Sequence, residues 1–387
     1  MTSDRPLSAA CNLMDAFARR TGLVDGGAPS RYLWTDAFAV CNFLELHRRT
    51  EDERYLRLAL RLVDQVHHTL GRHREDDPRT GWISGLDEER GENHPTKGGL
   101  RIGKNLPERK RGEPLDQRLE WERDGQYYHY LTKWMHALNR VGRITGDGRY
   151  NRWAMELAQT AYEAFTHRPS PGAQKRMVWK MSIDLSNPLV SSMGQHDALD
   201  GLITYQELEA AARQTSTRAD LSEEIDDLSR MSAGIRLKTD DALGIGGLLS
   251  DAHRLAQLVA KENLEGTSLL ERLLDASVES LKAYRRSAPL GQPLRYRLAF
   301  RELGLAIGLE AGKRLDSLLE EHPGSFENLD LLRARVGDLR EHERIGERIE
   351  AFWLEDAHRK TESWTAHQDI NAVMLATSLA PDGYLTI

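Results

Sequence analysis

Residues 145–150 of the chain read Thr-Gly-Asp-Gly-Arg-Tyr, and residues 50–55 read Thr-Glu-Asp-Glu-Arg-Tyr. The two stretches lie 95 residues apart, and matching residues continue outside them, such as Tyr32 with Tyr127. Apolar residues recur every three or four positions before and after each stretch, which predicts a helix on either side. The repeat therefore predicts two copies of a helical hairpin, in which the first helix ends at Thr-x-Asp and the second begins at Arg-Tyr.

Helical periodicity continues along nearly the whole chain, whereas alternating strand patterns are almost absent. The pattern predicts a single N-terminal helix, five helical hairpins and a single C-terminal helix. These helices are predicted at residues 8–20, 31–49, 53–70, 126–145, 149–167, 195–214, 220–232, 241–261, 267–286, 295–313, 328–357 and 365–379. The predicted fold class is therefore all-α.

The composition argues against several classes of protein. Of the 387 residues, 40% are hydrophobic and 29% are charged, which is typical of a globular protein. The net charge of −7 argues against nucleic acid as a partner, because phosphate binding needs a positive surface. No run of about 18 apolar residues occurs, so no contact with a membrane is expected. Two cysteines and the lack of a secretory signal pattern favour a cytoplasmic location.

Two architectures are built from helical hairpins. An open solenoid needs similar repeats throughout, whereas a closed ring pairs its first helix with its last. Helices 8–20 and 365–379 have no partner that is adjacent in sequence. We therefore expect them to form a sixth hairpin and to close a single domain over residues 1–387.

Two connections between the predicted helices, 71–125 and 168–194, are unusually long. Long connections in a compact domain are often functional. In a closed ring we expect both to lie over the mouth of the central cavity. Weak alternation within 177–185 predicts a short strand in the second connection.

The hairpin motif at Thr145–Tyr150, with its more degenerate copy at Thr50–Tyr55, resembles the motif of several families of the six-hairpin glycosidase superfamily. These families include unsaturated glucuronyl hydrolases, related glycoside hydrolases and the N-acylglucosamine 2-epimerase group. The resemblance implies an (α/α)6 toroid, with six inner and six outer helices, and a small carbohydrate as substrate. It does not select one reaction, because the fold hosts hydrolases, lyases and epimerases.

Polar and aromatic residues collect at the predicted starts of the inner helices. Aromatic rings stack on the apolar faces of sugar rings, and carboxylates, amides and imidazoles bind sugar hydroxyl groups. The residues predicted to bind the substrate are Arg31, Trp34, Asp36, Trp121, Arg123, Tyr127, His129, Gln195, Asp200, Trp364, Gln368 and Asp369. A tryptophan such as Trp34 also suits the core, and an aspartate such as Asp36 also suits a helix N-cap, so both alternatives stay open.

Hydrolysis of a glycosidic bond in a small oligosaccharide or a uronide is the first functional hypothesis. Most glycosidases use two carboxyl groups, one as the acid and the other as the base or nucleophile. Asp124 and Asp197, at the starts of adjacent inner helices, are the predicted pair, and Glu122 is the reserve. For both aspartates, capping of a helix is the structural alternative.

A sugar 2-epimerase or isomerase is the second hypothesis, in which a proton is removed beside a carbonyl group and returned on another face. His196 and His367 are the predicted base and acid. A toroid that binds a glycan or a protein without catalysis is the third. No metal or other cofactor is predicted, because no HExxH or similar spacing occurs, although Asp197 and Asp369 would suit a metal if they converged with the two histidines.

Overall fold

The computed structural model describes residues 4–24, 26–110, 112–214 and 220–387. In chain order the α-helices of these residues are α1 (Asp4–Arg20), α2 (Leu33–Thr50), α3 (Glu53–Leu70), α4 (Glu88–Asn93), α5 (Gln117–Glu122), α6 (Tyr128–Thr145), α7 (Gly148–Phe165), α8 (Asp197–Gln214), α9 (Ser222–Ala233), α10 (Ala242–Glu262), α11 (Thr267–Ser287), α12 (Ala299–Glu321), α13 (Leu329–Arg340), α14 (Glu343–Leu354), α15 (Asp356–Arg359), α16 (Glu362–Thr365), α17 (Gln368–Leu379) and α18 (Asp382–Leu385). Short strands are β1 (Gln126–Tyr127), β2 (Thr166–His167), β3 (Arg176–Met177), β4 (Lys180–Met181) and β5 (Pro188–Val190). The all-α fold class is as predicted.

Most predicted helices agree with the observed ones to within a few residues. One prediction is wrong: residues 328–357 form two helices, α13 and α14, which are separated at Glu341 and His342. Leu339, His342 and Gly346 are all buried and keep helical spacing across the break. The hydrophobic periodicity is therefore in phase on both sides, which is why the sequence does not reveal the break.

The chain divides into two units. The larger unit contains Ala18–Leu44 and Glu53–Ile235, and the smaller unit contains Glu45–Asp52, Arg236–Ile387 and the described residues up to Phe17. The closure of the chain by a sixth hairpin, and the single domain that follows from it, stay predictions. Within the described ranges, the structure contains no helix with the length and hydropathy that a membrane span requires.

In the larger unit, residues 145–150 form the turn of a helical hairpin. Gly146 ends α6 with a φ of 70°, a left-handed conformation that glycine adopts without strain. The side chain of Asp147 then caps α7 by accepting a hydrogen bond from the backbone N–H two residues later. The amide side chains of Asn139 and Asn151 join the two helices at 2.7 Å. The hexapeptide therefore forms the predicted turn, and helix capping is how it does so.

The copy at residues 50–55 begins with the same turn. Glu51 has a φ of 58° at the position that corresponds to Gly146. The Thr50 hydroxyl donates to the backbone carbonyl four residues earlier at 2.7 Å, and Thr145 makes the same bond at 2.8 Å. The sequence repeat is thus a repeat of the hydrogen bonds that end a helix.

The long connections in the larger unit have structure of their own. The first contains α4 and α5 and buries Trp82, Leu100 and Ile102. The second contains β4 where a strand is predicted, and β4 pairs antiparallel with both β1 and β5. Because β1 leads directly into α6, this small sheet places the second connection against the start of an inner helix. The location of both connections over a cavity mouth stays a prediction.

Helices α10 and α12 form the centre of the smaller unit and approach each other through glycines. A Cβ atom on Gly246 would lie 2.0 Å from the carbonyl oxygen of Gly304, and one on Gly308 would lie 2.5 Å from the Cα atom of Gly246. Only glycine permits backbones to come this close. Helix α12 also packs against α13, α14 and α17, so the core of this unit is built around it.

Candidate active site

Six rings in the larger unit form a group that we call the aromatic cluster: Tyr32, Trp121, Tyr127, His129, Tyr130 and Trp179. Pairing of β1 with β4 brings the second connection beside the start of α6. As a result the Trp179 ring lies 6.0 Å from the rings of both Tyr127 and His129, measured between centroids. Trp121 meets Trp179 edge to face at 4.7 Å, and 48% of Trp121 is exposed. The cluster therefore offers an accessible aromatic surface to a ligand.

Asp197 is the first residue of α8 and lies beside this cluster. It is only 7% exposed, and its Oδ1 atom is 3.9 Å from Nδ1 of His129. Its buried Oδ2 atom has no hydrogen-bond partner in the structure. Burial, aided by the negative charge of Asp200, raises the pKa of Asp197 to about 7. Near neutral pH this carboxyl group is therefore poised between its protonated and ionised forms.

His129 is held uncharged next to Asp197. Burial lowers the pKa of His129 to about 4. The indole N–H of Trp179 donates a hydrogen bond to its Nδ1 atom at 3.1 Å. Because indole nitrogen only donates, Nδ1 must be an acceptor, and the proton of the neutral ring is on Nε2. His129 is thus a neutral imidazole whose Nε2–H can donate to a ligand.

Asp200 lies one helical turn after Asp197 and already accepts hydrogen bonds from other side chains. It accepts hydrogen bonds from the Thr132 hydroxyl and from the ammonium group of Lys133, the latter at 2.6 Å. The negative charge of Asp200 adds to the raised pKa of Asp197. A buried carboxyl group whose pKa is raised in this way is typical of acid–base sites.

Asp124, the predicted partner of Asp197, is completely buried. Its carboxylate accepts hydrogen bonds from the guanidinium groups of Arg101 at 2.6 Å and Arg74 at 3.3 Å. The backbone N–H groups of Gly103 and Lys104 also donate to it, at 3.0 and 3.3 Å. Four donors leave little capacity for a substrate, so these contacts fit a carboxylate that anchors the first connection.

The neighbours of Asp124 differ in exposure. Glu122 and Trp121 are exposed, whereas Arg123 is half-buried and pairs with Glu113 at 3.1 Å. Gln195 is exposed and His196 is half-buried. Of the predicted residues in this unit, Trp121, Tyr127, His129, Asp197 and Asp200 come together.

Arg31, Trp34 and Asp36 lie in the core of the larger unit. The Arg31 guanidinium donates to Asp36 at 3.4 Å and to the carbonyl oxygen of Thr21 at 2.5 Å. Trp34 is buried against Phe38, with the ring centroids 4.4 Å apart. These contacts match the structural alternative that the sequence leaves open.

The remaining predicted residues belong to the smaller unit. Trp364 is buried and lies 5.6 Å from the Trp353 ring, measured between centroids. His367 and Gln368 are exposed, and Asp369 is half-buried. The His367 ring meets the Phe300 ring edge to face at 5.9 Å. His367 is thus a surface residue at the N-terminus of α17.

The structure adds four residues to the predicted site: Tyr32, Tyr130, Trp179 and Lys180. The Lys180 ammonium is fully buried, donates to the carboxylate of Glu120 at 2.8 Å and lies 5.5 Å from the centroid of the Tyr127 ring. It therefore joins β4, which directly follows Trp179, to α5, which contains Trp121. The alternation that predicts a strand at 177–185 was the available signal for Trp179.

No metal centre is formed by the described part of the chain, because no three His, Cys, Asp or Glu side chains are arranged to hold an ion.

Comparisons with known proteins agree with this architecture. No family model matches the chain, and no curated protein matches it. A solved structure of cellobiose 2-epimerase from Spirochaeta thermophila DSM 6192 is similar over 97% of this chain and 98% of its own, with a TM-score of 0.50 and 14% sequence identity. The chain has an (α/α)6 toroid fold. The predicted resemblance to the six-hairpin toroids is thereby confirmed for the fold.

Proposed function

We propose that this toroid is a carbohydrate-active enzyme that moves a proton beside the carbonyl group of a reducing sugar, as a 2-epimerase or isomerase. The observation that carries the proposal is the pair of Asp197 and His129 at the aromatic cluster: a carboxyl group with a pKa of about 7 next to a neutral imidazole. The likeness to a cellobiose 2-epimerase supports the same class of reaction. The epimerase alternative of the sequence analysis thus becomes the first hypothesis.

The proposed chemistry assigns a task to each group. The sugar stacks on Trp121 and Trp179, and the neutral His129 donates a hydrogen bond to a sugar oxygen. Protonated Asp197 donates its proton to the oxygen that becomes negatively charged as the carbon beside the carbonyl loses its proton. His196, the residue before Asp197, remains the proposed base for the carbon-bound proton, whereas His367 belongs to the smaller unit and is assigned no step. Return of that proton to the opposite face gives the epimer.

Glycoside hydrolysis stays as the second candidate because one observation favours it. A glycosidase needs a protonated carboxyl group as its general acid, and Asp197 has a suitably raised pKa. Against it, the predicted second carboxylate, Asp124, is surrounded by four donors. The hydrolase hypothesis therefore loses its predicted base and depends on the reserve, Glu122, so we place it second.

Product analysis distinguishes the two reactions. The purified protein is incubated with cellobiose, with monosaccharides and with unsaturated uronides, and the products are separated by chromatography. A new disaccharide of unchanged mass supports epimerisation, whereas release of monosaccharides from cellobiose supports hydrolysis and overturns the first hypothesis.

Activity is expected to fall above pH 7. Asp197 must carry a proton in order to donate it, and its pKa of about 7 means that this form dominates below pH 7 and is lost above. His129, with a pKa of about 4, stays neutral throughout this range. The pH profile of kcat/KM between pH 5 and 9 checks the prediction, and a profile that rises through pH 7 would contradict the role of Asp197 as an acid.

Trp121→Ala is expected to raise KM by roughly 3- to 10-fold with little change in kcat. A stacking contact of about 0.5–1.5 kcal/mol is lost from the substrate and the transition state alike. Steady-state kinetics test this, with Tyr296→Ala as the control because Tyr296 is 65% exposed and outside the cluster. Unchanged KM in Trp121→Ala would remove this tryptophan from the binding surface.

A further inference from the structure

Gly194 lies directly against the carboxyl group of Asp197. A Cβ atom at residue 194 would be 2.3 Å from Oδ2, 2.4 Å from Oδ1 and 2.4 Å from Cγ of Asp197. Real Cβ atoms are not found this close to other atoms, so the carboxyl group occupies the space that any larger residue would need. The backbone of Gly194 lacks the left-handed conformation that favours glycine elsewhere in the chain. A larger residue at position 194 would therefore disturb Asp197 in particular.

We propose that Gly194 is a positioning residue, which fixes the Asp197 carboxyl group in the orientation that keeps Oδ2 buried and without a hydrogen-bond partner in the protein. This inference rests on the proposed function of Asp197. Gly194 also sits at the end of the second long connection, three residues before α8, and its carbonyl oxygen accepts a hydrogen bond from the Asp197 backbone N–H at 3.4 Å. The second connection therefore positions the Asp197 carboxyl group through Gly194.

The Asp197 carboxyl group cannot keep its position if residue 194 gains a side chain. Asp197 and the three residues that follow it in α8 are buried, whereas Gly194 is half-buried. A methyl group at residue 194 would overlap both carboxyl oxygens and must displace them. The displaced carboxyl group would no longer hold Oδ2 in the position from which we propose that it acts.

Gly194→Ala is accordingly expected to lower kcat at least 10-fold and to move the alkaline limb of the pH profile, with a smaller change in KM. Gly148→Ala is the matched control, since a Cβ atom there would meet nothing and its φ is not left-handed. A Gly194→Ala enzyme with the kcat and pH profile of the natural sequence would overturn the proposal.

A double-mutant cycle tests the contact without any substrate. Gly194→Ala is expected to lower Tm by about 2–4 °C in the natural background but to have almost no effect in the Asp197→Ala background, where no carboxyl group is displaced. Equal losses of Tm in both backgrounds would mean that Gly194 does not act through Asp197. Coupling in Tm together with full activity of Asp197→Ala would instead show that the contact exists and that the proposed function has failed.

Discussion

Asp197→Asn is expected to reduce kcat by roughly 100- to 10 000-fold, which is the usual contribution of a general acid or base. Asparagine has the size of aspartate but has no acidic proton to transfer, so the loss reports on chemistry rather than on packing. Steady-state kinetics below pH 7 measure it, and Asp226→Asn, at an exposed position of α9, is the control. Retention of most of the activity would exclude Asp197 as the acid.

The same substitution is expected to stabilise the fold at high pH. The pKa of Asp197 is raised from 3.8 to about 7, so the folded protein holds this proton more tightly than the unfolded chain. The group therefore favours folding below about pH 4, and that contribution is lost as the pH rises through 7. Tm of Asp197→Asn relative to the natural sequence should increase between pH 5 and pH 8. Lower activity with higher stability is typical of an active-site residue.

Asp124→Ala is expected to destabilise the protein by about 3–5 kcal/mol, because it leaves the buried guanidinium of Arg101 without its carboxylate. Arg74, whose side chain is 14% exposed, loses the same partner. The hydrogen bonds from Gly103 and Lys104, which hold the first connection in place, are lost as well. Urea unfolding followed by circular dichroism measures this effect.

Asp76→Asn provides the control for Asp124. Asp76 also pairs with Arg74, at 2.6 Å, but half of its side chain is exposed to water. Exposed ion pairs contribute little to stability, so its unfolding midpoint should stay nearly unchanged. If Asp124→Ala instead folds with normal stability and loses only activity, Asp124 is a catalytic residue, and the hydrolase hypothesis returns to first place.

Helices are the part of the fold that the sequence predicts well. The hexapeptide at 145–150 contains its own capping groups, a left-handed glycine and a side-chain acceptor, so a local pattern suffices to predict the turn. The break between α13 and α14 cannot be predicted, because no local residue pattern marks it. Buried residues on both sides, such as Leu339 and Gly346, remain in helical phase.

The site is predictable only where its residues belong to helix starts. The sequence predicts Tyr127, His129 and Asp197 because predicted inner helices begin beside them. The environment of Asp124 depends on Arg101 and Arg74, which come from 23 and 50 residues earlier in the chain. Nothing in the local pattern distinguishes a carboxylate that meets two such arginines from one that faces a substrate.

Trp179 and Lys180 illustrate the same limit. They enter the site because β4 pairs with β1, and strands of two residues give almost no periodic signal. The contacts of Trp179 and Lys180 depend on which residues of β4 and β1 lie opposite each other. The sequence alone does not provide this register.

Proton NMR of the protein with cellobiose and a panel of mono- and oligosaccharides in D2O tests the central claim most directly. The account predicts that solvent deuterium replaces the proton at C2 of the reducing sugar without new reducing ends, and that Asp197→Asn abolishes the exchange. New reducing-end signals with the C2 proton retained would contradict it and indicate hydrolysis. An absence of both changes across the panel would contradict it as well and favour a toroid that binds its partner without catalysis.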